Sequence, residues 1–473
     1  MKRTSFISVI IVLTVAALCA SGKTQAQSMD AIKAMIEAAG PDAAIIVPPG
    51  IYQGHLIITS PVTLDGQGLV TLDGGGEGTV VEIHAANTTI RGFTIMGSGS
   101  SVNREPAGLR AFDGPVIIEN NNFKEVLFGI DLRQAPDSII RDNIISGMDL
   151  KLGRRGDGIR LWWSHNCKVE RNRINAVRDM VFWYSEDLTV SENHVSNSRY
   201  GLHFMYSHNT TLKNNYLTAN SVGVYLMYSN NINMLHNNIV NNRGSSGYGI
   251  GLKDCDAISV ENNTLLANRV GIYIDNSPSS VDSWGLVESN MVAFNEIGLL
   301  ATPITHDNVI TNNAFVENDE QVTAHGGGQL SKNEFSKDGI GNFWSTYAGF
   351  DRDNDGIGDF PHEPRSLFRS LLAREPNLRI FLHSPAQQAI ELTARAFPEL
   401  RPDPIFVDPA PLTRPPKLDL LASSNTVKRL PMSVLSIGLL SIAGLGGWLL
   451  AHEPRFPAVV SSTEGKPSRR VPI

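Results

Sequence analysis

Val190-Ser-Glu-Asn-His-Val195 is followed by Gly201-Leu-His-Phe204 and Ser207, then by Leu212-Lys-Asn-Asn-Tyr-Leu217, Gly223-Val-Tyr-Leu226 and Ser229. Two patterns run through this stretch in step. One is apolar–x–x–Asn–x–apolar; the other is Gly–apolar–x–apolar closing on a small residue. Outward from here the first recurs at 118–123, 140–145, 169–174, 234–239, 260–265, 287–292, 310–315 and 330–335. Its shared asparagines are Asn121, Asn143, Asn172, Asn193, Asn215, Asn237, Asn263, Asn290, Asn313 and Asn333, spaced 20 to 29 residues apart. The second recurs at 129–132, 158–161, 249–252 and 271–274, with Ala135, Ser164, Ser185, Cys255 and Ser277 completing the small column.

Short period-two strands at this interval mean a solenoid. The Leu-rich scaffold of leucine-rich repeats is missing. The reading is an all-β fold, a right-handed parallel β-helix of about 22 residues per rung. Inward apolar residues stack about 4.8 Å apart. Asparagine at the bends tolerates left-handed backbone angles, and its amides can bond along the column as a ladder. The longer intervals place loop insertions at 151–156 and 243–247. An open end needs a cap; residues 28–39 supply one, a helix with Ile32, Met35 and Ile36 on one face behind a Ser cap.

The flanks differ from this body. Lys2-Arg3 and the apolar run 6–20 read as a secretory signal ending near residue 26. A second apolar run, 431–451, has the length of a transmembrane helix, with Trp448 near one interface. Between them lie the β-helix domain, 28–364, and a docking tail with a Pro-rich, semi-rigid linker, 365–430; a short tail, 452–473, ends the chain. Residues 366–373 and 386–397 read as short helices. With 473 residues, 42% hydrophobic and a net charge of −7, the chain is neither disordered nor a general nucleic-acid binder. Cys167 and Cys255 stand about four rungs apart, roughly 19 Å, so both are expected as free thiols.

Two columns face outward beside the small column. The first reads Asp131, Arg160, Val181, His203, Tyr225, Gly251, Tyr273; the second reads Arg133, Trp162, Trp183, Met205, Met227, Lys253, Asp275. Trp163, Tyr184, Tyr206 and Tyr228 follow at the next position. Such an apolar stripe marks a binding surface, and Trp162, Trp183, Tyr206, Tyr225 and Tyr228 are its candidate partner-binding residues. His203, Met205 and Met227 combine imidazole with thioethers, a donor set suited to Cu(I). His165 and His208 follow the small column and read as hydrogen-bonded turn residues. A polysaccharide-modifying β-helix of lyase or epimerase type is the alternative, but no stacked carboxylate pair occurs in these columns. After the rungs, Asp351, Asp353, Asp355 and Asp359 alternate around Gly356 like a calcium loop, and a hydrogen-bonded acidic turn explains them equally well.

The closing run Gly341-Asn-Phe-Trp-Ser-Thr-Tyr347, followed by Asp351-Arg-Asp-Asn-Asp-Gly-Ile-Gly-Asp359, resembles NosD-type nitrous oxide reductase maturation proteins. With the asparagine rungs, the resemblance spans about 28–364. It implies a periplasmic, non-catalytic accessory that works with a membrane ABC transporter, a copper chaperone and nitrous oxide reductase. No catalytic residue transfers, because the shared motif is structural. The expected C-terminal membrane anchor is read from this sequence alone and would tether the protein to the inner membrane.

Overall fold

The computed structural model describes residues 26–382 and 384–418. Residues 1–25 of the expected secretory signal (1–26), the apolar run 431–451 and the tail 452–473 lie outside the described residues. Among the described residues no helix is long and apolar enough to cross a membrane.

Short strands wind into a parallel β-solenoid with a 12-stranded sheet and a 24-stranded sheet that bends at the asparagine column. Register follows the repeat: Ile174, Val195, Leu217 and Ile239 are successive partners, as are Phe182, Phe204 and Leu226. These residues are fully buried and belong to one apolar core running from Met29 to Phe406. Inward apolar positions therefore stack on their equivalents, and no rung can bury its face alone.

The asparagines form the expected ladder. Asn215 Oδ1 accepts the backbone N–H of Asn193 at 3.0 Å and its side-chain amide at 3.1 Å, while Asn215 Nδ2 donates to Val190 O at 2.9 Å. The left-handed angle belongs to the residue before each ladder asparagine, for example Arg171, Glu192, Asn214 and His236. Turning the chain one residue early lets the asparagine point inward, where its amide satisfies backbone that the bend leaves unpaired. A second ladder lies five residues on: Ser198, Asn220, Asn242, Asn268, Asn295 and Asn318 are joined N–H to Oδ1 at 2.8–3.0 Å. The sequence reading missed it, although the Asn–x4–Asn spacing was present. The small column is a hydroxyl ladder, with Ser164 Oγ accepting from Ala135 N and Ser277 Oγ from Cys255 N. Cys167 and Cys255 are free and buried, and burial pushes both thiols up to about 12.

Both ends are closed. At the start, α1 (Asp30–Ala39) buries Ile32 and Ile36 and leaves Met35 half-buried. Met29, not Ser28, occupies the N-cap position; Ser28 Oγ accepts the Asp30 N–H from the short strand before it. At the other end the last ladder residue is Asn342 rather than Asn333. Asn313 Nδ2 donates to Asn342 Oδ1 at 2.9 Å, whereas Asn333 accepts from Asn308. The spacing of twenty was misleading because Asn308 opens a side column at a loop. Part of the Pro-rich stretch also folds back on the core instead of running free as a linker. Phe406 packs on Trp344 and Phe335, and Asp408 Oδ2 accepts from Asn342 N and Trp344 Nε1, both at 2.8 Å. Burial raises the Asp408 pKa against the pull of these donors. The expected tail helices form as α2 (Leu367–Arg374) and α3 (Pro385–Ala396).

Candidate functional site

The outer face of the 12-stranded sheet carries the site. Its registers match the sequence alignment: Asp131, Arg160, Val181, His203, Tyr225, Gly251 and Tyr273 are successive partners, and so are Arg133, Trp162, Trp183, Met205, Met227, Lys253 and Asp275. The two columns differ in depth. In the first, Asp131, Arg160, Val181, His203 and Tyr273 are buried although they point away from the core. Glu105 from the inserted segment 98–106 reaches over the first rungs to Arg133 and Arg160. The second column stays more open: Trp162 is exposed, and Trp183, Met205 and Met227 are half-buried.

An ion-pair network fills the early rungs. Asp131 accepts from Arg110 at 2.7 Å, Arg133 at 3.0 Å and Arg160 at 2.9 Å. Burial pushes its pKa up, but the three guanidiniums hold it below the usual carboxylate range. Asp157 is gripped by Arg178 through two bonds of 2.9 and 3.0 Å, and Asp179 by Arg199. Burial raises Asp157 to about 6, whereas Arg199 and His203 overcome burial to keep Asp179 low. Asp157 and Asp179 do stand on adjacent rungs, a carboxylate pair the column alignment overlooked because both precede the aligned positions. The sequence signal was the run of Arg178-Asp179 and Arg199-Tyr200 one rung apart. Each carboxylate is already matched by its own arginine, so neither is free to hold a cation.

His203 sits at the end of this network. Its Nδ1 lies 3.6 Å from the Asp179 carboxylate, and neither buried ring nitrogen has a hydrogen-bond partner. Trp183 and Tyr200 meet the ring edge-on at 5.9 and 4.9 Å, and Tyr225 lies 6.4 Å away. Two residues on, Met205 faces the same side, and Met227 is its partner on the next rung. An imidazole without hydrogen bonds, on one strand face with thioethers, is a donor set suited to a soft cation such as Cu(I). The other sequence-marked histidines are committed: His165 Nδ1 accepts from Glu186 N and His208 Nδ1 from Asn230 N.

The third outward position forms a stack. Trp163, Tyr184, Tyr206 and Tyr228 follow one another at 5.1, 5.2 and 4.9 Å with nearly parallel rings, each on a left-handed residue. Stacking uses up the ring faces, so the stripe offers edges and hydroxyls rather than the flat platforms a sugar ring needs. Of the candidate partner-binding residues, Trp162 and Tyr206 are open, Tyr228 is half-buried, and Trp183 and Tyr225 turn toward His203. Apart from this face, Asp351, Asp353 and Asp355 bring ligand oxygens within 4.8 Å of one another. Asp359 instead accepts the Arg352 N–H, and Asp351 accepts from Gly356 N and Thr413 Oγ1. These bonds tie the loop into an acidic turn and leave Asp351 Oδ1 buried without a hydrogen-bond partner.

The family of periplasmic copper-binding proteins called NosD matches residues 143–349, which hold His203, Met205 and Met227. A probable ABC transporter binding protein NosD of Pseudomonas aeruginosa is 32% identical over 380 residues, 78% of this chain and 87% of that protein. The chain belongs to the NosD family. A NosD of Stutzerimonas stutzeri is 29% identical over 402 residues, 80% of this chain and 88% of that one. Relatives within the NosD family thus cover most of the solenoid. Among solved structures, the A-module of mannuronan C-5 epimerase AlgE6 from Azotobacter vinelandii covers 65% of this chain and 94% of its own, at 17% identity and a TM-score of 0.49. That likeness is too loose to carry residue roles across.

Proposed function

We propose that this protein is a non-catalytic periplasmic accessory in maturing the copper centre of nitrous oxide reductase. It acts as a docking scaffold beside a membrane ABC transporter and receives copper from a chaperone. The relatives' names, which speak of an ABC transporter and of copper binding, support this reading at the family level. The single observation that carries it within the chain is His203, buried with neither ring nitrogen hydrogen-bonded, on the same strand as Met205 and one rung from Met227. Copper here is cargo. Imidazole and two thioethers hold Cu(I) without the anionic charge that would make release slow, and the stacked aromatic edges beside them suit an apolar protein surface. A carbohydrate-modifying role loses ground because Asp131, Asp157 and Asp179 are each paired with arginines and Asp275 faces Lys253.

The test is a Cu(I) titration of the purified protein against a competing chromophoric chelator. The triple variant His203→Ala, Met205→Ala, Met227→Ala is expected to bind at least about tenfold more weakly, a difference near 1.4 kcal/mol. A titration curve identical to that of the parent protein would rule out this site.

A further inference from the structure

A cavity of about 760 Å³ lies between the outer face of the last rungs and the helical tail. Protein interiors normally leave few voids larger than a water molecule, and a second void, beside Trp284, holds only about 10 Å³. The large cavity is of the size and apolar character of small-molecule sites. On its sheet side Ile297 and Leu300 lie among Tyr248 and Thr323, and α2 contributes Leu372. The Ile297, Leu300 and Leu372 side chains carry no polar atoms.

The rim is cationic. Arg269, Arg369, Arg374 and Arg379 border the cavity, with Glu296, Glu320 and Asp403 as the acidic members. Glu296 is neutralised by Arg243 at 2.5 Å, and Glu320 by Arg379 at 3.5 Å together with the Thr323 hydroxyl. Arg269 and Arg369 bond only backbone carbonyls, those of Ser245 and Asp319, and Arg374 has no partner among the described residues. Three guanidiniums therefore stand against one exposed carboxylate, Asp403.

We propose that this cavity binds an anionic amphiphile, with an acyl chain lying on Ile297, Leu300 and Leu372 and an acidic head held by Arg269, Arg369 and Arg374. An extended peptide fits less well, because the chain laid over Ile297, Leu300 and Leu372 would bring its backbone amides onto apolar side chains. An acyl chain has no such groups. The head is a carboxylate or a phosphate, supplied by a free fatty acid or by an anionic phospholipid. The site is separate from His203 and does not depend on copper handling.

Delipidated full-length protein is titrated with palmitate, hexadecanol and hexadecyltrimethylammonium. Palmitate is expected to saturate one site and to bind at least about tenfold more tightly than hexadecanol, with the ammonium weakest. The surface variant Arg369→Ala, Arg374→Ala should bring palmitate down to the level of hexadecanol. Leu300→Trp, which fills the cavity, should remove binding of both; thermal melts check its folding, and the arginine variant decides the matter if it melts early. Phosphatidylglycerol recovered on the protein after incubation with vesicles identifies a phospholipid source, and binding of palmitate alone identifies a free acid. Equal affinity for palmitate and hexadecanol overturns the proposal, as does palmitate binding untouched by the arginine variant. Absence of saturable palmitate binding overturns it too, and saturable binding of a Leu- and Glu-rich decapeptide in its place would assign the cavity to a protein partner.

Discussion

Inside the coil, ten asparagines from Asn121 to Asn342 fill one column, joined by nine bonds in which each side-chain amide donates to the Oδ1 of the next asparagine. Outside, the column from Asp131 to Tyr273 changes chemistry at nearly every rung, from carboxylate to guanidinium, valine, imidazole, phenol and glycine. Both columns obey one period and one register. The inner one is uniform because a ladder bond needs the same amide above and below. The outer one is free to vary because the backbone pairing is already complete without it. Variation along a column of fixed geometry is therefore where this fold can place a site.

The largest test of that contrast is Asn215→Ala. It leaves Asn193 N–H, the Asn193 amide and Val190 O without their partners inside the core. At roughly 1–3 kcal/mol for each buried group left unpaired, the loss should be about 4–6 kcal/mol. Chemical denaturation measures it, and a loss below 1 kcal/mol would mean that the ladder is ornamental. On the outer column, Asp131→Ala should cost about 3–5 kcal/mol, because three arginines lose the carboxylate between them. A loss below about 1 kcal/mol in the same measurement would show that the three arginines do not depend on this carboxylate.

The smallest expected effect is at the boundary, in the C-terminal cap. Burial lowers His362 from 6.5 to about 4, and it stacks on Trp344 at 5.4 Å. A histidine depressed in the folded state contributes stability that is complete above pH 6.5 and is lost as pH falls toward about 4. His362→Phe keeps a ring against Trp344 and should flatten the dependence of Tm on pH across that window. Parallel profiles for the two proteins would show that the cap is not loosened by this proton. Asp157 works in the opposite sense. Its folded pKa is raised to about 6, so its contribution fades as pH rises from 3.8 through 6, and only the difference between variants isolates His362.

Much of this architecture was legible from residues alone. The strand register, the Asn and Ser columns, the free cysteines and both tail helices followed from period and spacing. The second ladder was equally periodic and went unread, since attention rested on the first asparagine of each Asn–x4–Asn pair. Asp157 and Asp179 escaped because a bulge between Asp179 and Val181 shifts the register just where an arginine pairs with each of them. Asp408 escaped for a different reason: it meets Asn342 across 66 residues, and no local pattern links them.

The sequence by itself determined the repeat, and with it which residues point inward and which stack on one another. Parallel pairing is periodic, so a linear pattern is enough to encode it. Only the tertiary structure decided depth. Whether an outward residue is covered depends on Glu105, on Arg178 and Arg199, and on α2 and the segment around Phe406 arriving from elsewhere in the chain. That is why His203 lies buried beside Asp179 while Trp162, one column over, meets solvent.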